Sequence, residues 1–170
     1  NWSKDFVPDA KYDIEARLNW LAGIIDSDGS LNDKNGSITI CSNDKRFLIK
    51  IKYMLNTLGC TGVVSLSKRA SKKLMPNGQG GYKKYNCKSN YRLTINSWNV
   101  AQLMKLGLKT KRVKLIANPS RNSVRFVKIK NIKKLKEKEA TVYCFTEPIN
   151  HTGIFNGVMT SQCGEQPLQA

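Results

Sequence analysis

The chain has 170 residues, an ordinary apolar content of 40% and a formal net charge of +17, from 29 Lys and Arg residues against 12 Asp and Glu residues. Such an excess repels itself in a compact protein, so it indicates a polyanionic partner, with nucleic acid first and an anionic membrane surface second. No apolar run is long enough to span a bilayer, and a single histidine without a Cys-x-x-Cys pair excludes zinc-finger spacing. The odd number of cysteines, five, favours a reducing compartment with free thiols. The expected location is intracellular, in the cytoplasm with access to DNA.

Hydrophobic periodicity predicts an α+β fold with the element order α-β-β-α-β-β-α over residues 13–118. Apolar residues at helical spacing from Asp13 onward predict a first helix, which Gly29 ends. A loop rich in Gly, Lys and Tyr is expected at residues 68–90. The further predicted elements are strands at 37–42, 61–67 and 91–96, a helix from about Asn43 to Gly59, and helices at 97–106 and 109–116.

Beyond Asn118-Pro119 the pattern changes to short strands, so a domain boundary is predicted there. The chain begins without Met or a signal pattern, and we expect further sequence upstream of it. Strands are predicted at 123–135, 140–148 and 153–160. The expected segments are a lead-in at 1–12, an α/β repeat at 13–118, a β-rich segment at 119–162 and a short tail at 163–170.

The segment Leu21–Gly29 reads LAGIIDSDG and carries the first chemical signal. Ala22 and Gly23 lack bulk, so a second helix can approach closely on their face. Asp28 lies at the helix end beside Gly29, where a carboxylate can face a hard divalent cation such as Mg²⁺. A cation held between phosphate oxygens can activate water and stabilise a leaving group.

This segment resembles the signature of the LAGLIDADG homing endonucleases, whose repeat has the same αββαββα order. The resemblance implies that Asp28, with Gly29, forms part of a Mg²⁺ site, and that two motif helices pack side by side and each supply one Asp. It also implies that a curved sheet lies in the major groove of double-stranded DNA. By position, Lys109 matches the family's active-site lysine, with Lys111 as the competitor, and Asn43 matches a polar, water-holding residue.

Basic and polar residues between and on the predicted strands are candidates for DNA contacts. Lysine and arginine can neutralise phosphates, while polar side chains on strands can reach base edges. The alternative is an ordinary solvated basic loop, which the total charge disfavours. The candidates are Ser65, Ser67, Lys68, Arg69, Lys72, Lys73, Lys83, Lys84, Arg92, Thr94 and Asn96.

The sequence from Val142 to Cys163, VYCFTEPINHTGIFNGVMTSQC, resembles the carboxy-terminal splicing blocks of inteins. This resemblance implies that the β-rich segment forms the last strands of an intein (Hint) splicing domain and needs no cofactor for splicing. It assigns His151 as a general acid or base, Cys163 as a thiol that accepts an acyl group, and Gln162 as the residue that cyclises to cut the chain before Cys163.

The tail departs from the intein pattern in informative places. Gln162 replaces the usual Asn, so its ring is a six-membered glutarimide, and Ser161 replaces the penultimate His. Cys144 and Thr160 stand where inteins that lack an amino-terminal nucleophile carry a Cys and a Thr, so Cys144 is a candidate nucleophile. A small buried strand cysteine is the favoured reading of Cys144.

The residues after the cleavage point, CGEQPL, resemble the active-site loop of ribonucleotide reductases. The expected function is therefore the carboxy-terminal part of a bifunctional intein in a ribonucleotide reductase, combining protein splicing with DNA cleavage. Its expected partner is an amino-terminal fragment, carrying the first repeat, of an intein that is either split or continuous. The alternatives are a stand-alone homodimeric LAGLIDADG endonuclease and a non-cleaving nucleic-acid-binding relative.

Overall fold

The computed structural model describes residues 6–116, 129–132, 147–155 and 158–161. The chain divides into two compact units, Asn1–Ser123 and Val124–Ala170. Within the described residues, no helix is both long and apolar enough to cross a membrane. The α+β class predicted from the sequence is confirmed, whereas the predicted strands at 123–135 and 140–148 lie largely outside the described residues.

Three helices of the first unit follow from amphipathic segments with polar N-caps. The side chains of Asp13, Asp44 and Asn96 each accept a hydrogen bond from a backbone N–H in the first turn of the helix that follows. A buried stripe on each helix faces the sheet. The helices are α1 (Ile14–Asp28), α2 (Lys45–Asn56) and α3 (Ser97–Lys105).

The strands of the first unit form one antiparallel sheet of four strands and a separate hairpin. The four-stranded sheet has the order β1-β2-β6-β3, and the hairpin pairs β4 with β5. The strands are β1 (Gly29–Asn32), β2 (Ser37–Ser42), β3 (Val63–Lys68), β4 (Ser71–Pro76), β5 (Tyr82–Cys87) and β6 (Asn90–Ile95).

The core lies between the helices and one face of the four-stranded sheet. Period-2 alternation sends Ile38, Ile40, Leu93 and Ile95 into this core, where at most 1% of their surface is exposed. Arg17 is also buried, and its guanidinium donates hydrogen bonds to the backbone oxygen of Asp13 and to Oγ1 of Thr57. One face of the four-stranded sheet is thus covered by the helices, and the other faces solvent.

The structure corrects two predicted elements. Residues 71–87 form the hairpin β4–β5 rather than a loop. The two strands are hydrogen-bonded to each other and bury no face, so the sequence shows no apolar alternation there. Residues 109–116 form no helix: Gly107 turns the chain at φ +110°, and the next residues form an irregular turn. The predicted αββαββα order is otherwise observed through α3, with the hairpin inserted between β3 and β6.

The described part of the second unit contains one hairpin. Strands β7 (Thr152–Phe155) and β8 (Val158–Ser161) pair antiparallel, with Thr152 opposite Ser161. The predicted strand at 153–160 is therefore two strands joined at residues 156–157. A turn over residues 148–150 precedes β7.

Candidate active site and nucleic-acid interface

The end of α1 joins β1 directly, without an intervening loop. The backbone N–H of Gly29 donates to the carbonyl of Ile25, and a Cβ at Gly29 would lie 2.6 Å from that same oxygen. Only glycine fits so close an approach of backbone to backbone. This glycine therefore fixes Asp28, the exposed last residue of α1, at the point where the helix meets the sheet.

The other acid of the motif, Asp26, has a structural role. Its carboxylate accepts backbone N–H groups from Lys111 at 2.7 Å, Arg112 at 2.9 Å and Val113 at 3.1 Å. These hydrogen bonds favour the charged form, so the pKa of Asp26 is lowered, chiefly by the N–H of Lys111. Desolvation opposes this effect, and the N–H groups of Val113 and Arg112 and the charge of Arg112 add to it. Asp26 thus ties the turn after α3 to the end of α1.

Arg112 completes this connection from the opposite side. Its guanidinium donates to the carbonyl oxygens of Ile25 at 3.0 Å and Gly29 at 2.7 Å, and also to that of Asp26. The oxygens of Ile25 and Asp26 lie in the last turn of α1, at the negative end of the helix dipole, and that of Gly29 is the first carbonyl of β1. Arg112 is therefore a side-chain cap for the carboxyl end of the motif helix.

The lysines predicted for catalysis lie on or next to this connection. Lys109 and Lys111 are both exposed. Lys109 follows the buried Leu108, whereas Lys111 is held through its backbone by Asp26. The Thr110 hydroxyl donates to the carbonyl of Val113 and closes a turn that contains Lys111 and directly follows Lys109. The structure thus brings the segment of both lysines to the end of α1.

A divalent cation would find one suitable carboxylate here. Asp28 is exposed at the helix end, and carboxylate oxygen is a hard ligand suited to Mg²⁺. The carbonyl of Gly29 is less suitable, because it already accepts from the positive guanidinium of Arg112. In the described part of the chain, no group of three or more His, Cys, Asp or Glu side chains could hold a metal ion. Among the described groups, the Asp28 carboxylate is thus the candidate ligand for such a cation.

The solvent-facing side of the four-stranded sheet is polar. Arg92 lies between Cys41 and Ser65 in register, and its Nε donates to Oγ of Ser65 at 3.2 Å. Opposite charges are absent from these positions, so the Arg92 guanidinium keeps its charge available to a phosphate or a base edge. Two adjacent rows cross the sheet, one of Ser30, Thr39, Thr94 and Val63, the other of Cys41, Arg92 and Ser65.

Three predicted DNA contacts occupy other places. The side-chain oxygen of Asn96 is the N-cap of α3 and accepts from both the backbone and the side chain of Asn99, which gives it a structural role. Ser67 lies where the β3–β6 register shifts, between Leu66 and Lys68. Asn43 lies at the end of β2 and accepts a hydrogen bond from Nδ2 of Asn90 at 3.2 Å.

The hairpin β4–β5 presents lysines on both of its faces. Because side chains alternate along a strand, the register places Lys72 and Lys84 on one face and Lys73 and Lys83 on the other. All four lysines are exposed, as are Lys68 at the end of β3 and Arg69 directly after it. The hairpin is thus a basic projection that continues from β3 and β6.

The turn before β7 is organised by one carboxylate. Glu147 accepts backbone N–H groups from Ile149 at 3.0 Å, Asn150 at 2.7 Å and Thr152 at 3.5 Å. Led by the N–H of Ile149, these hydrogen bonds lower the pKa of Glu147. His151 follows at φ +51°, the one non-glycine residue with positive φ in the described ranges. That conformation costs a non-glycine residue about 1–2 kcal/mol.

Thr160, in β8, and His151 are exposed parts of the same hairpin region. The other predicted splicing residues, Cys144, Gln162 and Cys163, lie outside the described residues.

Comparison with protein families identifies the family to which most of the chain belongs. Residues 15–138 match the LAGLIDADG-like domain. The chain belongs to the LAGLIDADG-like family. Its α1 is the LAGLIDADG motif helix, and Asp28 is the last acid of that motif.

Curated relatives extend the comparison over most of the chain. It is 40% identical over 155 residues to the ribonucleoside-diphosphate reductase large subunit of Invertebrate iridescent virus 6, covering 89% of the chain. It is 24% identical over 164 residues to the ribonucleoside-diphosphate reductase NrdEB subunit alpha of Bacillus subtilis (strain 168), and equally to that of Bacillus phage SPbeta. The chain spans only 16% and 15% of the length of these relatives.

Only one of the two small residues predicted to allow a second helix to approach the LAGLIDADG helix is exposed. Ala22 is 8% exposed and belongs to the chain's own core, so it is not on the face open to a second helix. Gly23 is exposed, and a Cβ built on it would meet nothing within 4 Å. Gly23 therefore remains the open position for close helix approach.

Sequence reasoning missed Asp26, Arg112 and Glu147 as organising residues. The partners of Asp26 and Arg112 are separated by 83 to 87 positions, so no local spacing reveals them. Glu147 had a weak signal, since an acid before Pro148 and a turn is a common arrangement for a side-chain cap.

Proposed function

We propose that this LAGLIDADG domain is one half of a site-specific, Mg²⁺-dependent DNA endonuclease. The observation that carries the proposal is that the two motif acids have different surroundings. Asp26 is committed to the backbone of residues 111–113, whereas Asp28 lies exposed at the end of the same helix. A carboxylate placed there suits a metal that faces a phosphodiester.

Each residue set has a distinct role in this proposal. Asp28 would hold Mg²⁺, which supplies activation of water and stabilisation of the leaving oxygen when bound. Lys109, with Lys111 as the alternative, would place positive charge near the developing charge on phosphorus. Arg92, Ser65 and Thr94 on the polar sheet face would contact base edges, with Asn43 at the end of β2, while the basic hairpin would contact phosphates.

The second half of the site would come from another LAGLIDADG helix. Of the two motif acids, only Asp28 is proposed to hold the metal, whereas cutting both strands requires two such carboxylates. We propose that the partner helix lies in an upstream part of the same protein or in a complementary fragment, and packs against the face that contains Gly23. A second copy of this chain is the alternative source.

We further propose that the chain is the carboxy-terminal part of an intein hosted in a ribonucleotide reductase. Two things support this: the intein-like pattern from Val142 to Cys163, and the reductase names of relatives that align with 89% of the chain. Residues 163–170 would then belong to the reductase. Splicing needs no metal or other cofactor.

The proposed splicing steps use the chain's own groups. The Cys163 thiol would accept the upstream acyl group by transesterification, with Cys144 as the candidate that first forms the thioester in the manner of inteins that also carry Thr160. The side-chain nitrogen of Gln162 would then attack its own main-chain carbonyl and form a glutarimide. The Gln162–Cys163 peptide bond breaks, and His151 would deliver the proton that the departing amino group of Cys163 takes up.

The endonuclease proposal is tested with the full-length precursor and its Asp28→Asn variant. The substrate is duplex DNA that encodes the reductase sequence without the insertion, in the presence and absence of Mg²⁺. We expect Mg²⁺-dependent double-strand cleavage near the insertion point by the wild type alone. A wild type that binds this DNA but never cuts it would favour the non-cleaving alternative.

The splicing proposal is tested by mass spectrometry of the same precursor. We expect a free intein that ends at Gln162 and a ligated product joined through Cys163. A symmetric homodimer that cuts DNA while the bond before Cys163 stays intact would favour the stand-alone endonuclease.

A further inference from the structure

The turn over residues 147–152 is held by a carboxylate that the splicing chemistry does not use. Both oxygens of Glu147 are engaged: one accepts from Ile149, and the other from Asn150 and Thr152. Pro148 has no N–H to offer. The carboxylate therefore collects backbone donors on both sides of His151 and closes the loop in which that histidine lies.

His151 has a backbone conformation that ordinary residues avoid. Its φ of +51° lies in the left-handed region, and in the described part of the chain all other positive φ values belong to glycines. A non-glycine residue stays in that region only where its surroundings hold it. Here the residues on either side are held by Glu147, through Asn150 before the histidine and Thr152 after it.

From this geometry we infer that Glu147 is a positioning residue for His151 in peptide-bond cleavage before Cys163. The inference rests on the proposed splicing function, in which His151 transfers the proton. The carboxylate fixes the left-handed backbone of His151, which sets the direction in which the imidazole leaves the chain as β7 begins. Its hydrogen bonds go to backbone N–H groups, so it acts through the fold of the loop.

The pairing of β7 with β8 makes this placement relevant to the cleavage point. Thr152, next to His151, lies opposite Ser161 in the antiparallel register. Ser161 is the residue before Gln162. The hairpin thus brings the last residue of the His151 loop opposite the segment that leads into the cleavage point.

The test compares cleavage rates of the full-length precursor and its Glu147→Ala and Glu147→Gln variants. We expect Glu147→Ala to slow cleavage before Cys163 by tenfold or more. Glu147→Gln keeps one acceptor oxygen, so its rate should lie between those of the alanine variant and the wild type. Asp9→Ala is the matched control, because Asp9 also accepts a nearby backbone N–H, that of Lys11, but in the first unit; its rate should be unchanged.

Rescue by added imidazole distinguishes a loss of His151 positioning from general damage to the fold. Added imidazole should raise the cleavage rate of Glu147→Ala and of His151→Ala, because both lack a correctly placed imidazole. A Glu147→Ala variant that cleaves at the wild-type rate, or a slow one that imidazole leaves unchanged, would overturn the inference.

A structural readout keeps the inference testable if the wild type fails to cleave. In that case the splicing proposal itself fails. The three-bond coupling between the amide and α protons of His151 and its ¹³Cα chemical shift in the labelled chain still report φ. We expect a left-handed signature in the wild type that Glu147→Ala loses; a signature retained in Glu147→Ala would contradict the role of Glu147.

Discussion

Asp26 and Arg112 hold each other through main-chain groups: the Asp26 carboxylate accepts the backbone N–H of Arg112, and the Arg112 guanidinium donates to the backbone oxygen of Asp26. This reciprocal arrangement joins the end of the LAGLIDADG helix to the turn after α3. It makes the position of Asp28 depend on residues that lie more than 80 positions later in the chain.

The two motif acids should respond differently to the same substitution. Asp26→Asn leaves one side-chain oxygen to serve three N–H donors, so we expect a lower melting temperature and, through displacement of Asp28, weaker DNA cleavage. Asp28→Asn should abolish cleavage and lower the melting temperature less than Asp26→Asn does, because Asp28 is exposed at the helix end. Thermal unfolding and a cleavage assay on both variants test the pair, and equal melting temperatures for the two variants would contradict the structural role of Asp26.

Acid should remove the contribution of Asp26 to stability. Its pKa in the folded chain lies below the ordinary value of 3.8, so the unfolded chain takes up the proton first. The stabilisation is therefore complete above that value and is lost as the pH falls from it through the folded pKa. Melting temperatures of wild type and Asp26→Asn should converge as the pH is lowered through this range, and a gap that persists undiminished would argue against the assignment.

One face of the basic hairpin should dominate its contact with DNA. Lys84 lies an even number of residues before Arg92, and Lys72 shares its face of the hairpin, so we expect this pair on the side of the polar sheet face and Lys73 and Lys83 on the other. Log affinity falls as log salt rises, and each phosphate contact that is lost makes this slope less steep by about 0.9. The double Gln variant of Lys72 and Lys84 should show a reduced slope, and that of Lys73 and Lys83 should not.

Gly23 should tolerate bulk in the isolated chain but not in the assembled endonuclease. Gly23→Ala should stabilise α1 by about 0.5–1 kcal/mol, because glycine is a poor helix former and a Cβ there meets nothing. Gly23→Leu should fold but fail to pair with the second helix, which size-exclusion chromatography and cleavage can measure. The control is Ala22→Leu, which should destabilise the fold itself because Ala22 is buried.

Gln162→Asn should speed cleavage before Cys163. Asparagine closes a five-membered succinimide, whereas Gln162 must close a six-membered ring and order one more rotatable bond. Cleavage of the full-length precursor, followed by electrophoresis, gives both rates. An unchanged or slower rate in the Asn variant would count against the proposed role of Gln162.

Much of the first unit follows from local patterns in the sequence. The stripe from Leu18 to Ile25 and the alternation in Ser37–Ser42 correspond closely to α1 and β2, because burial on one face imposes those periods. The hairpin at 71–87 has no buried face, so its sequence lacks the alternation of apolar and polar residues that predicts a strand. The helix predicted at 109–116 is wrong, because the N–H groups of Lys111 and Val113 donate to Asp26. That residue is far away in the sequence, so no local pattern reveals these bonds.

The candidate site was only half predictable for a similar reason. Asp28 is identified by its motif, whereas Arg112 is identified only when the fold brings it to the carbonyls of Ile25 and Gly29. Asn96 was assigned to DNA by its place on a strand, but the first turn of α3 needs its oxygen.

The hairpin β4–β5 has a consequence for how this protein can change over generations. All of β4 and nearly all of β5 are exposed, and none of their side chains belongs to the core. Substitutions, insertions or deletions there leave the packing of helices on the sheet intact. The surface proposed to contact DNA can therefore change with a diverging target while selection for folding acts elsewhere in the chain.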